Sequence, residues 1–384
     1  MEFKALGTLV DRKIGYGIVQ PGQSVKDGVP VIKVNNIISG LYDINDLDTT
    51  THENDAQYSR TRLSGGEVIL SVVGTIGKTA IVPKEFAGCN LVRATALIDI
   101  KNQWLARWVK YYIDSNLGQI YITQNLNTTV QPTLNIKSLV EMPIPFFDEN
   151  YMKKAVEILS ELDSKIDLNK RINNNLLEQA IALYDKMCPF SVDSDLPQGW
   201  RIGTVGEIID IHDSKRIPLS GKERDQMENK IFPYYGAASL MDYVDNYIFD
   251  GKYLLLGEDG TVVDDKGYPI LQYVWGKFWV NNHAHILTGS NGFNVESLYV
   301  LFKQTSVASI VTGAVQPKIS QANLRSIKVV IPPKSTIEAY NDQVEPIFSL
   351  IRVNEDFNRS LIQVRDALLP KLMSGELDVS DVEI

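Results

Sequence analysis

Cysteine is nearly absent from this chain: Cys89 and Cys188 are its only two in 384 residues, far apart and with no Cys-x-x-Cys pair or nearby histidine. A disulfide framework and a thiolate zinc site are therefore not supported, and two reduced thiols remain. No apolar run approaches the length of a bilayer crossing, and the N-terminal MEFKALGTLV lacks a basic region followed by an apolar stretch. A cytoplasmic location is expected. Excess positive charge is missing as well. The formal net charge of -9 excludes a uniformly basic surface, so any nucleic-acid contact has to come from local patches or be shared with a basic partner.

Catalytic signatures are also wanting. GTIGKT, ending at Thr79, hints at a phosphate loop, but the glycine required five positions before Gly77 is Val72, so a strand, a turn and a surface lysine are expected. EDGTVVDDK, from Glu258, clusters carboxylates that could bind a metal, although acidic turns are usually solvated. In NNHAH, residues 281–285, an extended backbone puts His283 and His285 on one face, without an evident third ligand. Presenting hydrogen-bonding groups to bases or filling a strand interior are the alternatives there. The chain has no Asn-Pro-Pro-aromatic motif and no glycine-rich cofactor loop of the kind methyltransferases use. No catalytic residue, metal or cofactor of its own is expected.

What is present is an internal repeat. TTVQPTLNIKSLVEMPI ends at Ile144, and GAVQPKISQANLRSIKVV lies near the C-terminus; 185 positions separate Gln131 from Gln316, and the same interval separates Leu139 from Leu324. The register continues without a gap, pairing Ile166 with Ile351, Asn169 with Asn354, Asn173 with Asn358 and Leu176 with Leu361. Apolar residues at spacings of three and four predict a long helix in each copy. One seam runs through Leu159, Leu162, Ile166, Asn169, Asn173 and Leu176, and on through Ala180 and Leu183. The other runs through Val344, Ile347, Ile351, Asn354, Asn358 and Leu361, then Arg365 and Leu368. Pro346 suggests that the second helix starts or bends there. Stripes this narrow, with asparagines at matching positions, suit a coiled coil that fixes register at some cost in stability. The competing arrangement packs each helix on its own domain. A helix from about Tyr151 to Met187 would be roughly 55 Å long at 1.5 Å per residue.

Ahead of each helix lies a mixed, glycine-punctuated, β-rich segment, and these two segments resemble each other only loosely. Both open on a short amphipathic stretch, ALGTLVD and TVGEIID, and GGEVILSVVGTIGKTAIV in the first answers DGKYLLLGEDGTVV in the second. The expected class is α+β: two globular α/β heads, residues 1–147 and 190–333, with coiled-coil helices at 148–189 and, with a C-terminal tail, at 334–384.

This layout, together with VQPTLNIKSLVEMPIP, FPYYGAASLMDYVDNYIFDGKYLLLGEDG, FWVNNHAHIL and the closing LLPKLMSGEL, resembles the specificity subunit of type I DNA restriction-modification enzymes over essentially the whole chain. The short N-terminus departs from more familiar members. The resemblance implies two target recognition domains held apart by an antiparallel coiled coil that carries the modification subunits. It further implies double-stranded DNA as ligand, two methyltransferase subunits with S-adenosylmethionine bound on them, and ATP-dependent restriction subunits in complexes that also cut. Dissimilar heads on one spacer would read an asymmetric, two-part target. Direct readout favours basic and amide side chains. The candidates are Lys33, Asn35, Asn36, Arg60, Arg62, Lys78 and Arg93 in the first head, and Lys215, Arg216, Tyr234, Tyr235, Lys277, Asn282 and His283 in the second. A system with a single bifunctional cutting and modifying subunit, or a coiled-coil adaptor that binds protein, are the rival readings.

Overall fold

The computed structural model describes residues 1–41, 43–127, 131–313, 315–379 and 382. Val130, in the first Val-Gln-Pro motif, lies outside them. The architecture is α+β and duplicated. The chain divides into two units, Met1–Arg171 with Glu355–Ile384, and Ile172–Asn354. Each contains one globular segment and part of each of two long helices, α1 (Glu149–Met187) and α2 (Lys334–Ser374). Among the described residues no helix is long and apolar enough to cross a membrane.

Helix α1 begins where Asp148 Oδ1 accepts the free N–H groups of Asn150 and Tyr151, at 2.9 and 3.3 Å. It stops before Pro189, which has no N–H to continue the ladder. Helix α2 starts after Pro333 and ends at Gly375, whose φ of 76° closes the last turn while Glu376 N–H donates to the Lys371 carbonyl at 3.0 Å. The start or bend expected at Pro346 is not where the helix begins. The preceding three turns form regardless, because Ile337, Tyr340 and Val344 are anchored in an apolar core, and burial of that face outweighs one missing backbone hydrogen bond.

In the first unit the sheet order is Arg12–Tyr16, Thr95–Asp99, Val68–Ser71, Thr79–Ile81, all antiparallel. In the second it is Ile209–Ile211, Ala284–Gly289, Tyr253–Gly257, Leu271–Val274, again all antiparallel. Each head has a further sheet in which a strand with an antiparallel neighbour also pairs in parallel with a later strand, Val29–Ile32 with Asn90–Leu91 and Phe232–Tyr235 with Lys277–Val280. A two-stranded sheet ties the start of each head to the strand that leads into its helix: Glu2–Ala5 with Pro143–Phe146, and Arg201–Thr204 with Lys328–Ile331. Leu6 N–H donates to the Met142 carbonyl at 2.9 Å, and Val205 N–H donates to the Ile327 carbonyl at 2.8 Å. A Cβ on Gly7 would lie 2.5 Å from Val140 Cγ1, and one on Gly206 would lie 2.9 Å from Arg325 Cβ. The same close approach, made at corresponding positions, requires glycine twice.

Both arrangements weighed for the helices occur. In the first unit Tyr151, Met152, Ala155, Val156 and Leu159 of α1 belong to the head core, with Leu369, Leu372 and Met373 of α2. In the second, Ala180 and Tyr184 of α1 pack with Ile337, Tyr340, Val344 and Phe348 of α2. The helices also pair. Tyr151 Oη donates to the Leu372 carbonyl at 2.8 Å, Arg365 Nη1 meets Asp163 at 3.0 Å, and Asn169 Nδ2 donates to Asn358 Oδ1 at 2.8 Å, so α1 and α2 run antiparallel within the first unit. Within the second, Asn354 Nδ2 donates to Asn173 Oδ1 at 2.8 Å and Tyr340 Oη to the Ala180 carbonyl at 3.0 Å, giving the same sense. Leu159, Ile166, Asn173, Val344, Asn358 and Leu361 are buried, while Leu162, Asn169, Leu176, Ile347, Ile351 and Asn354 are half-buried. The largest apolar group on the α2 seam is Phe348, fully buried beside the expected Ile347.

Candidate nucleic-acid interface

A side chain can meet a ligand only if the fold leaves it both exposed and unengaged, and this separates the candidates. In the first head Lys33 caps a short helix, Val34–Ser39, where Asn36 Oδ1 accepts its backbone N–H at 2.8 Å, and its ammonium pairs with Asp48. Asn36 is thus spent on the turn, and Asn35 beside it is exposed. Arg62 is bound to the buried Asp55. Arg60, Lys78 and Arg93 are exposed and have no side-chain partner among the described residues. Lys78 follows the tight turn between Val68–Ser71 and Thr79–Ile81, as expected for GTIGKT.

The second head requires corrections. Tyr234 is 1% exposed and Tyr235 8%, both on strand Phe232–Tyr235. Tyr234 Oη lies 3.1 Å from the Leu219 N–H it accepts from, and Tyr235 packs edge-on to Phe278. Neither offers its ring to a ligand; the pair of tyrosines looked like a binding surface only because the strand's neighbours were unseen. Arg216 is likewise internal, holding Glu258 at 2.6 Å and the carbonyls of Ala284 and Asn282 at 2.7 and 3.2 Å. Lys215 and Asn282 are exposed, and the exposed Lys277 sits with its ammonium 4.6 Å from the centre of the Tyr247 ring.

The two histidines do not converge. His283 Nδ1 lies 2.6 Å from Asp259, at a half-exposed site, whereas His285 is buried with Nδ1 2.6 Å from Asp213 and Nε2 2.8 Å from the Ile319 carbonyl. Asp213, Glu258 and His285 bring ligand-type atoms within 4.8 Å of one another, a cluster invisible in the sequence because Asp213 is distant in the chain. Its charges are already answered: Asp213 accepts from the Ile286 N–H and Gln321, and Glu258 is flanked by Arg216 and Lys318. Burial alone would raise both carboxyls, but hydrogen bonds from His285 to Asp213 and from Arg216 to Glu258 outweigh it and hold them below their usual range. The acidic turn expected to be solvated is, at Glu258, a half-buried cross-link.

Sequence reasoning passed over one feature of the first head. A cavity of about 550 Å³ opens beside strand Arg12–Tyr16, lined by Lys13, Gly15, Tyr16, Val19, Tyr58 and Arg60 among others, with no carboxylate among the described residues of its wall. Lys13 is exposed and without a side-chain partner among the described residues.

Residues 4–178 and 197–352 each match the family described as the type I restriction modification DNA specificity domain. The chain belongs to that family, with two copies of its domain. Among curated relatives, it is 30% identical over 170 residues to the type I restriction enzyme EcoBI specificity subunit of Escherichia coli, covering 43% of this chain and 35% of that one. It is 23% identical over 348 residues to the MjaIX specificity subunit of Methanocaldococcus jannaschii, covering 83% and 79%. A solved S subunit of a type I system from M. genitalium aligns over 96% of this chain and 95% of its own, at 16% identity and a TM-score of 0.48.

Proposed function

We propose that this chain is the non-catalytic specificity subunit of a type I restriction-modification complex, reading an asymmetric two-part DNA target with one head per half-site. The observation that carries the reading is the duplication itself: two heads share the strand order of a four-stranded antiparallel sheet and one mode of attachment to a long helix, yet expose different side chains. A shared plan presents two surfaces in comparable ways, and different side chains make the half-sites unlike. The repeated helices supply two equivalent surfaces for two methyltransferase subunits, on which S-adenosylmethionine would be bound. Double-stranded DNA is the ligand, and restriction subunits join where the system also cuts. The net charge of -9 supports sharing phosphate neutralisation with those partners, so the chain alone should bind duplex weakly.

Methylation-sensitive sequencing of DNA from cells carrying this chain and its modification partner tests the reading. A split motif is expected, and replacing residues 1–147 by another head should change one half of it alone. Unchanged methylation with lost assembly would favour a protein-binding adaptor instead. A partner carrying both nuclease and methyltransferase motifs would place the chain with a single bifunctional subunit.

A further inference from the structure

The chain carries more acidic than basic residues, so places where cations gather without carboxylates are informative. The cavity beside strand Arg12–Tyr16 is such a place: among the described residues Lys13 and Arg60 stand at it unpaired, and its wall holds Tyr16, Tyr58 and Val19 but no acid. Arg93 is close by in the backbone, since its N–H donates to the Ile18 carbonyl at 2.7 Å, next to Val19. Arg12, also in the wall, is fixed by Glu67 at 2.8 Å and by Asp99, and its guanidinium also donates to the Arg62 carbonyl at 2.8 Å. It therefore holds the Ser59–Thr61 turn, and with it Arg60, against the strand.

Shape decides what such a cavity receives. Base edges lie recessed in the grooves and are reached by protruding elements, whereas the sugar-phosphate backbone is a convex ridge. A concave site with cations and apolar walls complements the ridge, the cations meeting phosphate oxygens and the tyrosine and valine surfaces packing on deoxyribose. We propose that this cavity seats the sugar-phosphate backbone of one strand and so sets the register of the first head on its half-site. The proposal rests on the reading that the heads bind duplex DNA, and it assigns Lys13 and Arg60 to phosphates, not bases.

Gly15 provides a test independent of charge. A Cβ there meets only Thr61 Cγ2 at 3.8 Å and the Lys13 carbonyl at 3.9 Å, and its φ is not positive, so Gly15→Val fits the strand while projecting beside Thr61, itself part of the cavity wall. The complex with its modification subunits is titrated against a labelled duplex carrying the target read by methylation sequencing, at several salt concentrations. Lys13→Ala and Arg60→Ala should each weaken binding about fivefold near physiological salt and lower the salt slope by about 1. Gly15→Val should weaken it comparably with the thermal midpoint unchanged, and all three should methylate the same sequence as the parent. Unaltered affinity and slope in the two charge variants would overturn the proposal even if Gly15→Val failed to fold. So would an altered first half-site with an unchanged slope, which would make these residues base readers. Absence of salt-dependent binding by the parent complex would instead remove the DNA reading itself.

Discussion

Asp163 and Phe348 occupy the same place in the repeat, 185 positions apart, as do Ala180 and Arg365. In the first unit Asp163 is ion-paired to Arg365 at 3.0 Å, lies 3.7 Å from Lys110 and accepts the Tyr111 hydroxyl at 2.9 Å. In the second, Phe348 and Ala180 are fully buried in an apolar core. One backbone plan thus tolerates an ionic clasp or an aromatic plug between head and helix. What the two units keep in common is the hydrogen-bonded asparagine pair and the glycine contacts, which depend on register and close approach. The chemistry holding each head in place is its own.

The largest expected effect falls on the apolar side. Phe348→Ala should destabilise the second unit by about 4 kcal/mol, through lost burial and the cavity left behind. Ile347→Ala, at a half-buried neighbour, should cost roughly 1 to 2 kcal/mol. Both are measured by denaturant unfolding at neutral pH. Equal losses would mean that the aromatic does not plug the core.

A smaller effect, of about 2 kcal/mol at neutral pH, is expected for Asp163→Asn, which weakens charge-assisted hydrogen bonds at a partly exposed site. Its pH dependence separates it from the aromatic. Burial alone would raise the Asp163 carboxyl, but Lys110 and the Arg365 hydrogen bond outweigh it and hold it below the ordinary 3.8. A depressed carboxylate adds stability that is complete above its unfolded value and is lost as pH falls through the folded one. The deficit of Asp163→Asn should accordingly shrink on acidification below about pH 4, whereas that of Phe348→Ala should not. Parallel pH profiles for the two variants would show that Asp163 is not acting through its charge.

This pair of positions also shows how far sequence could lead. The constant offset was legible, and with it both helices, the asparagine seam and the strands entering each helix. Phe348 was passed over because spacings of three and four select one residue per turn, and Ile347 satisfied them; which of two adjacent apolar residues points inward depends on the head packed against the helix. The helix start expected at Pro346 failed for the same reason, since tertiary burial overrode a local preference. Inside the heads, sheet order and the Asp213–His285 contact arise from strands far apart in sequence, beyond the reach of local periodicity. Among the basic candidates, Arg60, Lys78 and Arg93 have no side-chain partner among the described residues, whereas Arg62 and Arg216 are ion-paired within the chain, a distinction that composition does not carry.

The shared feature can be tested too, with the smallest effect of the three. Asn169 with Asn358, and Asn354 with Asn173, form one pair in each unit, with donor and acceptor at equivalent repeat positions. Beyond its pair, Asn173 Nδ2 reaches the Ile351 carbonyl at 3.4 Å, while the buried Asn358 Nδ2 makes no hydrogen bond among the described residues. An unsatisfied buried donor is already a cost, and leucine removes it. Asn358→Leu should therefore destabilise less than Asn173→Leu, by about 1 kcal/mol. In each unit, replacing both partners with leucine should recover stability relative to the single variant, because no amide is then left without its partner, while weakening the preference for one helix register. Unfolding of the four variants measures the first expectation, and disulfide trapping between cysteines placed along the two helices measures the second. Equal costs for Asn173→Leu and Asn358→Leu would mean that the extra hydrogen bond in the second unit contributes nothing to the difference between the pairs.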